Sequence, residues 1–272
     1  MAETFAPSRQ PVAASQGDGY DRVIEWLLGG LLAFMPFAFG GVEAWSEQVI
    51  LVLCAGLSAT FLVKVLRVRD AGIPWHWTYV PVAVFLLIGI VQLVPWPAAV
   101  VGWLSPNTLA TKTRLLEDLP EAQQTLERMR VSFYAWSTAH DLRLAFAVAV
   151  VFLVVVNTYR RSAQLKRLLA TISVVGGAVV LLALAQDLVG NGKIYWVVPT
   201  YGGPANSGPF VNHSHYAQFV NLSMGAAFAL LMIRIKEDWW GKRVTAAAVA
   251  EYLSGDRGKR VVLLIALLVF GA

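Results

Sequence analysis

The polar segment at residues 207–225, SGPFVNHSHYAQFVNLSMG, carries side chains that can do chemistry within an otherwise apolar chain. Two histidines, His213 and His215, closely follow Asn212. An imidazole has a pKa near neutrality, so either histidine is suited to general acid–base catalysis. Asn212 or Ser214 is a typical N-cap for the helix that the following apolar run predicts. The free N–H groups at the start of such a helix attract anions such as phosphate.

A simpler interpretation of this segment needs no chemistry. Asn212 is then only a cap, and the two histidines are polar residues at the membrane surface. A metal site is not expected, because histidines two residues apart on a helix diverge by about 200°. A catalytic zinc usually has three protein ligands, and no further His or Cys is nearby, although Asp187 can approach. We expect neither a metal nor a cofactor.

The composition indicates an integral membrane protein. Hydrophobic residues make up 57% of the 272 residues and charged residues only 14%, whereas a soluble domain carries about a quarter charged residues. The mean hydropathy is +0.59. The single cysteine, Cys54, allows no internal disulfide and no cysteine-based metal site. The net charge of +5 does not indicate nucleic acid, because the basic residues lie between apolar runs, as topology signals do.

Six apolar segments are long enough, or nearly so, to cross a bilayer, which takes about 20 residues. They are 23–42, 49–66, 77–94, 142–159, 168–188 and 216–235. A seventh run at 261–272 is too short, so we expect the natural protein to continue beyond Ala272. The predicted fold class is all-α, a polytopic transmembrane helix bundle with six full spans and a truncated seventh.

The basic residues predict the orientation and the domain organisation. Most Lys and Arg residues fall on the side that holds the N-terminus, so the positive-inside rule places that side in the cytoplasm. Residues 1–22 are predicted to be a disordered cytoplasmic tail and 23–272 the transmembrane domain. The outward loops are then 95–141 and 189–215, and the histidine segment faces outward, in a bacterium toward the periplasm.

The loops are predicted to contain short helices, and a few polar or charged residues lie at the outward ends of the spans. Residues 95–109 suit a segment on the membrane surface, and 112–130 and 244–253 are predicted to be short helices outside the bilayer. Gln186 and Asp187 are expected to reach water at the outward end of the fifth span. Arg143 and Lys193 are outward cations that either hold a diphosphate or act as ordinary interfacial anchors.

Several stretches, taken in order, resemble the O-antigen ligase and O-antigen polymerase superfamily of bacterial membrane glycosyltransferases. WLSPNT, WSTAHDLRLAF, YRRSAQLKRLL, GGAVVLLALAQDL and KIYWVVP are similar to successive parts of that family between residues 95 and 231. SGPFVNHSHYAQFVNL resembles its Gly-x-Phe-x-Asn-x-Asn-His-Phe-Ala signature. The matching residues are Gly208, Phe210, Asn212, His215 and Ala217.

This resemblance implies a fold of the membrane glycosyltransferase C type and a chemistry without metal or nucleotide sugar. Such proteins transfer a glycan from undecaprenyl-diphosphate, on the periplasmic face of the inner membrane, to lipid A-core, another glycan or a protein. His215 and Asn212 would then be catalytic. Gly208, Phe210, His213, Arg143 and Lys193 would bind substrate.

Two departures from the family pattern limit what the chain is expected to do. The stretch YGGPANS lacks the Arg that many members carry just before the Gly-x-Phe segment. The family's large second outward loop lies beyond Ala272, so we expect the chain to be inactive alone. The alternatives are a non-catalytic membrane scaffold or a transporter of lipid-linked glycan. The nearly uncharged mid-helix positions argue against a transporter.

Overall fold

The computed structural model describes residues 18–69, 71–120, 126–199, 207–239, 245–256, 258–259, 261–263 and 265. This part of the chain is mostly helical, and its strands are two residues long, which confirms the predicted all-α class. The chain divides into two compact units. The first comprises Met1–Gly72 with Thr158–Ala272, and the second comprises Ile73–Asn157.

The first unit begins with a helical hairpin. Helix α1 spans Asp18–Phe37 and helix α2 spans Ala44–Arg67. They are joined by a single 3-10 turn, Phe39–Gly41, which we call the elbow. Its three residues have positive φ angles of 58°, 72° and 78°, and glycine adopts such angles at little steric cost. The chain therefore reverses sharply here, and Lys64 Nζ binds Asp21 Oδ1 at 2.5 Å at the other end of the hairpin.

A second helical hairpin completes the first unit. Helix α7 spans Ser162–Leu188 and helix α8 spans His213–Trp239. Small residues line the contact between them, because apolar helices in a membrane associate by close packing rather than by a hydrophobic driving force. A two-stranded antiparallel hairpin, β3 (Lys193–Ile194) with β4 (Val198–Pro199), follows α7.

The second unit pairs a short apolar helix with a long one. They are α3 (Tyr79–Leu93) and α6 (Ala135–Thr158). Asn157 Nδ2 donates to Tyr79 Oη at 2.8 Å, and a Cβ added at Gly89 would lie 2.8 Å from Leu142 Cδ1. Two short helices, α4 and α5, and a small sheet lie between them in the sequence. Their bounds are Ala98–Leu104 and Pro106–Leu116 for the helices, and Trp96–Pro97 (β1) paired with Arg128–Met129 (β2) for the sheet.

Four helices in the described part of the chain are long and apolar enough to cross a membrane: α2, α6, α7 and α8. The other two predicted spans are also helices, but they do not meet that measure. The 15 residues of α3 extend only about 22 Å, less than the roughly 30 Å of a hydrocarbon core. The first turns of α1 carry Asp21, Arg22 and Glu25, which shorten its apolar part.

The boundaries differ from the predicted ones in several places. Residues 18–22, predicted as tail, already belong to α1, and that helix ends at Phe37 instead of continuing to residue 42. The chain from 95 to 109 forms β1, α4 and part of α5. In the predicted helix 112–130, only the first five residues are helical in α5, 128–129 are a strand, and 121–125 lie outside the described residues.

Two further predictions concern the C-terminal part of the chain. A helix is confirmed at Ala246–Ser254 (α9), where Thr245 Oγ1 accepts a capping bond from Ala248 N at 3.3 Å. The apolar run 261–272 lies mostly outside the described residues, as do residues 1–17 of the predicted tail.

Candidate functional site

A buried anchor precedes the histidines. The anchor, residues 207–210, is Ser-Gly-Pro-Phe, and all four residues are buried. The Phe210 ring seats against the elbow, since a Cβ added at Gly40 would lie 2.7 Å from Phe210 Cδ1. On its other side the same ring packs against Tyr216 and Phe219 of α8, with centroid distances of 6.0 and 5.6 Å. The start of α8 is therefore attached to the α1–α2 hairpin through one aromatic side chain.

Gly208 fixes the anchor against α7. Its φ is +57°, in the left-handed region that favours glycine, and an added Cβ would lie 3.0 Å from Ala183 Cβ. Both the conformation and the space therefore require glycine at this position. Gly208 and Phe210 were predicted to bind substrate. In the structure both are buried, and the contacts they make are with Ala183, the elbow and α8.

The polar residues after the anchor are exposed. Asn212 Oδ1 accepts a hydrogen bond from Ser214 N at 2.8 Å, and Asn212 O accepts from Tyr216 N at 3.1 Å. Of the two predicted N-cap residues, Asn212 and Ser214, it is Asn212 whose side chain satisfies one of the free N–H groups of the first turn. His213 and His215, the first and third residues of α8, are both exposed. Their imidazoles are accessible from outside the helix pair.

The β3–β4 hairpin lies at the same end of the first unit. Tyr195 Oη donates to Phe37 O at 2.5 Å, which attaches the hairpin to the last residue of α1. Lys193 is exposed, and its carbonyl oxygen accepts from Gln186 Nε2 at 3.2 Å. Partial burial raises the pKa of Tyr195, so its hydroxyl stays protonated, as its hydrogen bond to Phe37 O requires. Elbow, anchor, hairpin and the start of α8 together form one end of the unit.

Gln186 does not reach water, contrary to prediction. Only 2% of it is exposed, and within the described residues its Oε1 accepts no hydrogen bond. Asp187, the next residue, is exposed as predicted. Gln186 is buried because it lies on the side of α7 that faces the anchor and the hairpin. The prediction was wrong because hydropathy alone cannot assign a residue to one face of a helix at its end.

Arg143 belongs to the second unit. It lies on α6, is exposed, and its Nη2 is 3.3 Å from His140 Nδ1. Seven site residues were predicted. The six besides Arg143 belong to the first unit: His215, Asn212, Gly208, Phe210, His213 and Lys193.

The arrangement can support proton transfer and anion binding at the surface. Two exposed imidazoles, one lysine and the capped N-terminal end of α8 lie at one end of the first unit. Over the described ranges, no group of three or more His, Cys, Asp or Glu side chains is arranged to hold a metal ion.

The residues that position this end were not found from the sequence. Gly40 and Tyr195 hold the anchor and the hairpin, yet each contacts a partner more than 150 residues away. The one local signal is the Phe-Gly-Gly of the elbow, which is typical of a tight turn. Comparison of the chain with protein-family models, with curated proteins and with solved structures gives no match in any of the three.

Proposed function

We propose that the chain is part of a bacterial inner-membrane glycosyltransferase that acts on undecaprenyl-diphosphate-linked glycan at the periplasmic face. The proposal includes six membrane-spanning helices with the N-terminus in the cytoplasm. It takes α1 and α3 as spans in addition to the four helices that are long and apolar enough. The acceptor is lipid A-core, another glycan or a protein.

One observation carries the proposal: two exposed histidines begin a helix that is long and apolar enough to cross a membrane. The anchor beneath them is buried on three sides, by the elbow, α7 and α8. A rigid support holds a catalytic group in a defined position, which is where much of an enzyme's rate enhancement comes from. A lipid-linked donor stays in the bilayer, so a site at the end of a membrane helix matches its location.

The proposed reaction needs a base and a place for the leaving diphosphate. His215 takes the proton from an acceptor hydroxyl while that oxygen bonds to the anomeric carbon of the glycan. The bond from this carbon to the diphosphate oxygen breaks, and undecaprenyl-diphosphate leaves with the electron pair. Asn212 holds the first turn of α8 in place. The backbone N–H groups of that turn, together with Lys193, offset the charge on the diphosphate.

The test is complementation of a deletion of the whole gene in its host by variants of that gene. His215→Ala is expected to lower the amount of transferred glycan by at least about 100-fold, the smaller end of general-base contributions. The untransferred lipid-linked glycan should accumulate at the same time. His76→Ala is the matched control, because it removes an exposed histidine outside the site.

The outcomes separate the proposal from its alternatives. Undiminished transfer by His215→Ala, at equal protein level in the membrane, would remove this residue from the mechanism. If the deletion strain accumulates lipid-linked glycan only on the cytoplasmic leaflet, the protein is a transporter. If the deletion changes neither glycan pool, it is a scaffold.

A further inference from the structure

A cleft with a positive charge opens at the other end of the first unit, away from the histidines. Its volume is 460 Å³, and it lies between the start of α1 and the start of α7. Its charged and aromatic lining residues, which define the basic cleft, are Arg22, Glu25, Trp26, Tyr159, Arg161 and Arg167. Gly29 and Thr171 also line it. A Cβ added at Gly29 would lie 3.9 Å from Thr171 Cγ2, so α1 and α7 approach each other closely here.

Three arginine side chains and one carboxylate, that of Glu25, line this cleft. Glu25 accepts from Arg167 Nε at 2.8 Å and from Arg167 Nη2 at 2.7 Å, a two-pronged ion pair. This pair uses two of the five N–H donors of Arg167 and holds its guanidinium plane in a fixed direction. Arg22 and Arg161 are exposed in the same cleft. The net charge of the lining therefore favours an anion with several acceptor oxygens.

The cleft lies at the end of the first unit where charged residues meet apolar helices. Lys64 with Asp21, and Lys166 with Glu237, form ion pairs at this end. Just beyond it, α7 continues as a candidate membrane span with exposed apolar side chains such as Val174. In a membrane, such a level corresponds to the headgroup region.

Trp26 gives the cleft an amphipathic rim. Its side chain is 81% exposed, an unusual position for the largest apolar residue in a soluble setting. Tryptophan is enriched where a membrane surface meets water, because its ring is apolar and its N–H needs a polar partner. A ligand in this cleft therefore has a charged part among the arginines and an apolar part beside Trp26.

We propose that the basic cleft binds the phosphate headgroup of an anionic membrane lipid. The phosphate oxygens accept hydrogen bonds from Arg22, Arg161 and the remaining donors of Arg167. The acyl chains extend past Trp26 along the apolar surfaces of α1 and α7. Basic pockets between membrane helices are a known mode of lipid headgroup recognition. This inference does not depend on the proposed glycan transfer.

The test is native mass spectrometry of the delipidated full chain in detergent, titrated with phosphatidylglycerol. Phosphatidylcholine, which has a phosphate but no net charge, is the lipid comparison. The double variant Arg22→Gln with Arg161→Gln is expected to weaken phosphatidylglycerol binding by about 30-fold, since each cation near an anionic headgroup contributes roughly fivefold. Arg22→Lys with Arg161→Lys should retain most of the binding, because the charges remain.

A matched control removes two charges at the same end but outside the cleft. Arg67→Gln with Arg69→Gln changes exposed arginines at the end of α2 and is expected to alter binding less than threefold. Equal losses in both double variants would show a diffuse charge effect and overturn the proposal, as would equal binding of the two lipids. Displacement of bound phosphatidylglycerol by millimolar inorganic phosphate would identify a soluble anion as the ligand instead. Intact folding of every variant is checked by its helical circular dichroism.

Discussion

The contact between α7 and α8 makes a quantitative prediction at Gly176. This glycine is buried, and a Cβ added to it would lie 2.6 Å from Ser223 Oγ and closer still to Ser223 Cβ. Carbon atoms in contact are normally about 3.5–4.0 Å apart. Gly176→Ala therefore forces the two helices to separate by about 1 Å or more, or Ser223 to move with its backbone.

The expected free-energy change has two opposing parts. Replacing glycine by alanine inside a helix is favourable by up to about 1 kcal/mol, whereas overpacking a close contact costs about 1–3 kcal/mol. Gly30→Ala on α1 contains only the first part, because a Cβ there meets nothing within 4 Å. The unfolding free energies of the two variants should therefore differ by the cost of the overpacked contact, about 1–3 kcal/mol. Gly176→Ala should be the less stable variant.

The assay is unfolding of the full chain in mixed micelles by increasing sodium dodecyl sulfate, followed by circular dichroism. A double-mutant cycle then tests the partner. Ser223→Gly removes both clashing atoms, and the bond that the Ser223 hydroxyl makes among the described residues is within its own helix, to Phe219 O at 2.9 Å. In that background Gly176→Ala should become neutral or stabilising. Equal stability of Gly176→Ala and Gly30→Ala, or a cycle without coupling, would refute the described packing of α7 on α8.

Four further substitutions test the candidate site and the second unit. Gly40→Ala should destabilise the first unit by at least about 1 kcal/mol, because its φ of +72° disfavours a side chain and the new Cβ would meet Phe210; thermal unfolding in detergent measures this. Asn212→Ala should cost about 1 kcal/mol through the lost N-cap, while Asn212→Asp should not, in the same unfolding assay. Lys112 Nζ donates to Arg130 O at 2.5 Å and to the carbonyl oxygen of residue 132 at 2.8 Å, which holds this backbone segment in place. Lys112→Met should therefore speed trypsin cleavage after residues 128 and 130. Burial raises the folded-state pKa of Tyr195, so this tyrosine contributes an unfolding free energy that is present below pH 10 and lost at higher pH. Tyr195→Phe should remove that contribution, and unfolding measured from pH 8 to 12 checks it.

Contrary results for these substitutions have specific meanings. An Asn212→Asp variant as unstable as Asn212→Ala would show that the amide, not the cap oxygen, is what matters. Unchanged trypsin cleavage in Lys112→Met would show that this ammonium group does not hold the 130–132 backbone; Arg114→Met, on the same helix α5, is its control. A Tyr195→Phe variant with the wild-type loss of stability above pH 10 would assign that loss to other tyrosines.

The helices were predictable because their signal is local. Apolar runs of about 20 residues marked the four helices that meet the membrane measure. Three of these runs lie inside the observed helix, and the fourth, 142–159, ends one residue beyond α6. The boundaries were less accurate for a physical reason. Helix α6 begins at Ala135, seven residues before the predicted start, because the polar residues of its first two turns are helical without being apolar. Hydropathy detects the part of a helix that suits lipid, not the whole helix.

The candidate site was only partly predictable from the sequence. The Asn212 cap depends on a residue two positions away, so a local pattern sufficed. The seat of Phe210 against Gly40 and the bond from Tyr195 to Phe37 join distant parts of the chain, and nothing in a single sequence pairs them. The two-residue strands were also missed, because an alternating pattern needs at least four residues to be recognised.

The bond between Tyr195 and Phe37 has a consequence for biosynthesis. The two residues are 158 positions apart, so at roughly 5–20 residues per second the ribosome needs about 8–30 s to make the second after the first. During that interval the elbow lacks the Tyr195 and Phe210 side chains that pack against it. The contacts that the later segments make with the elbow can therefore form only after the first hairpin has been synthesised. Slowed translation between the two hairpins should lengthen the period in which the elbow is open to quality-control proteases.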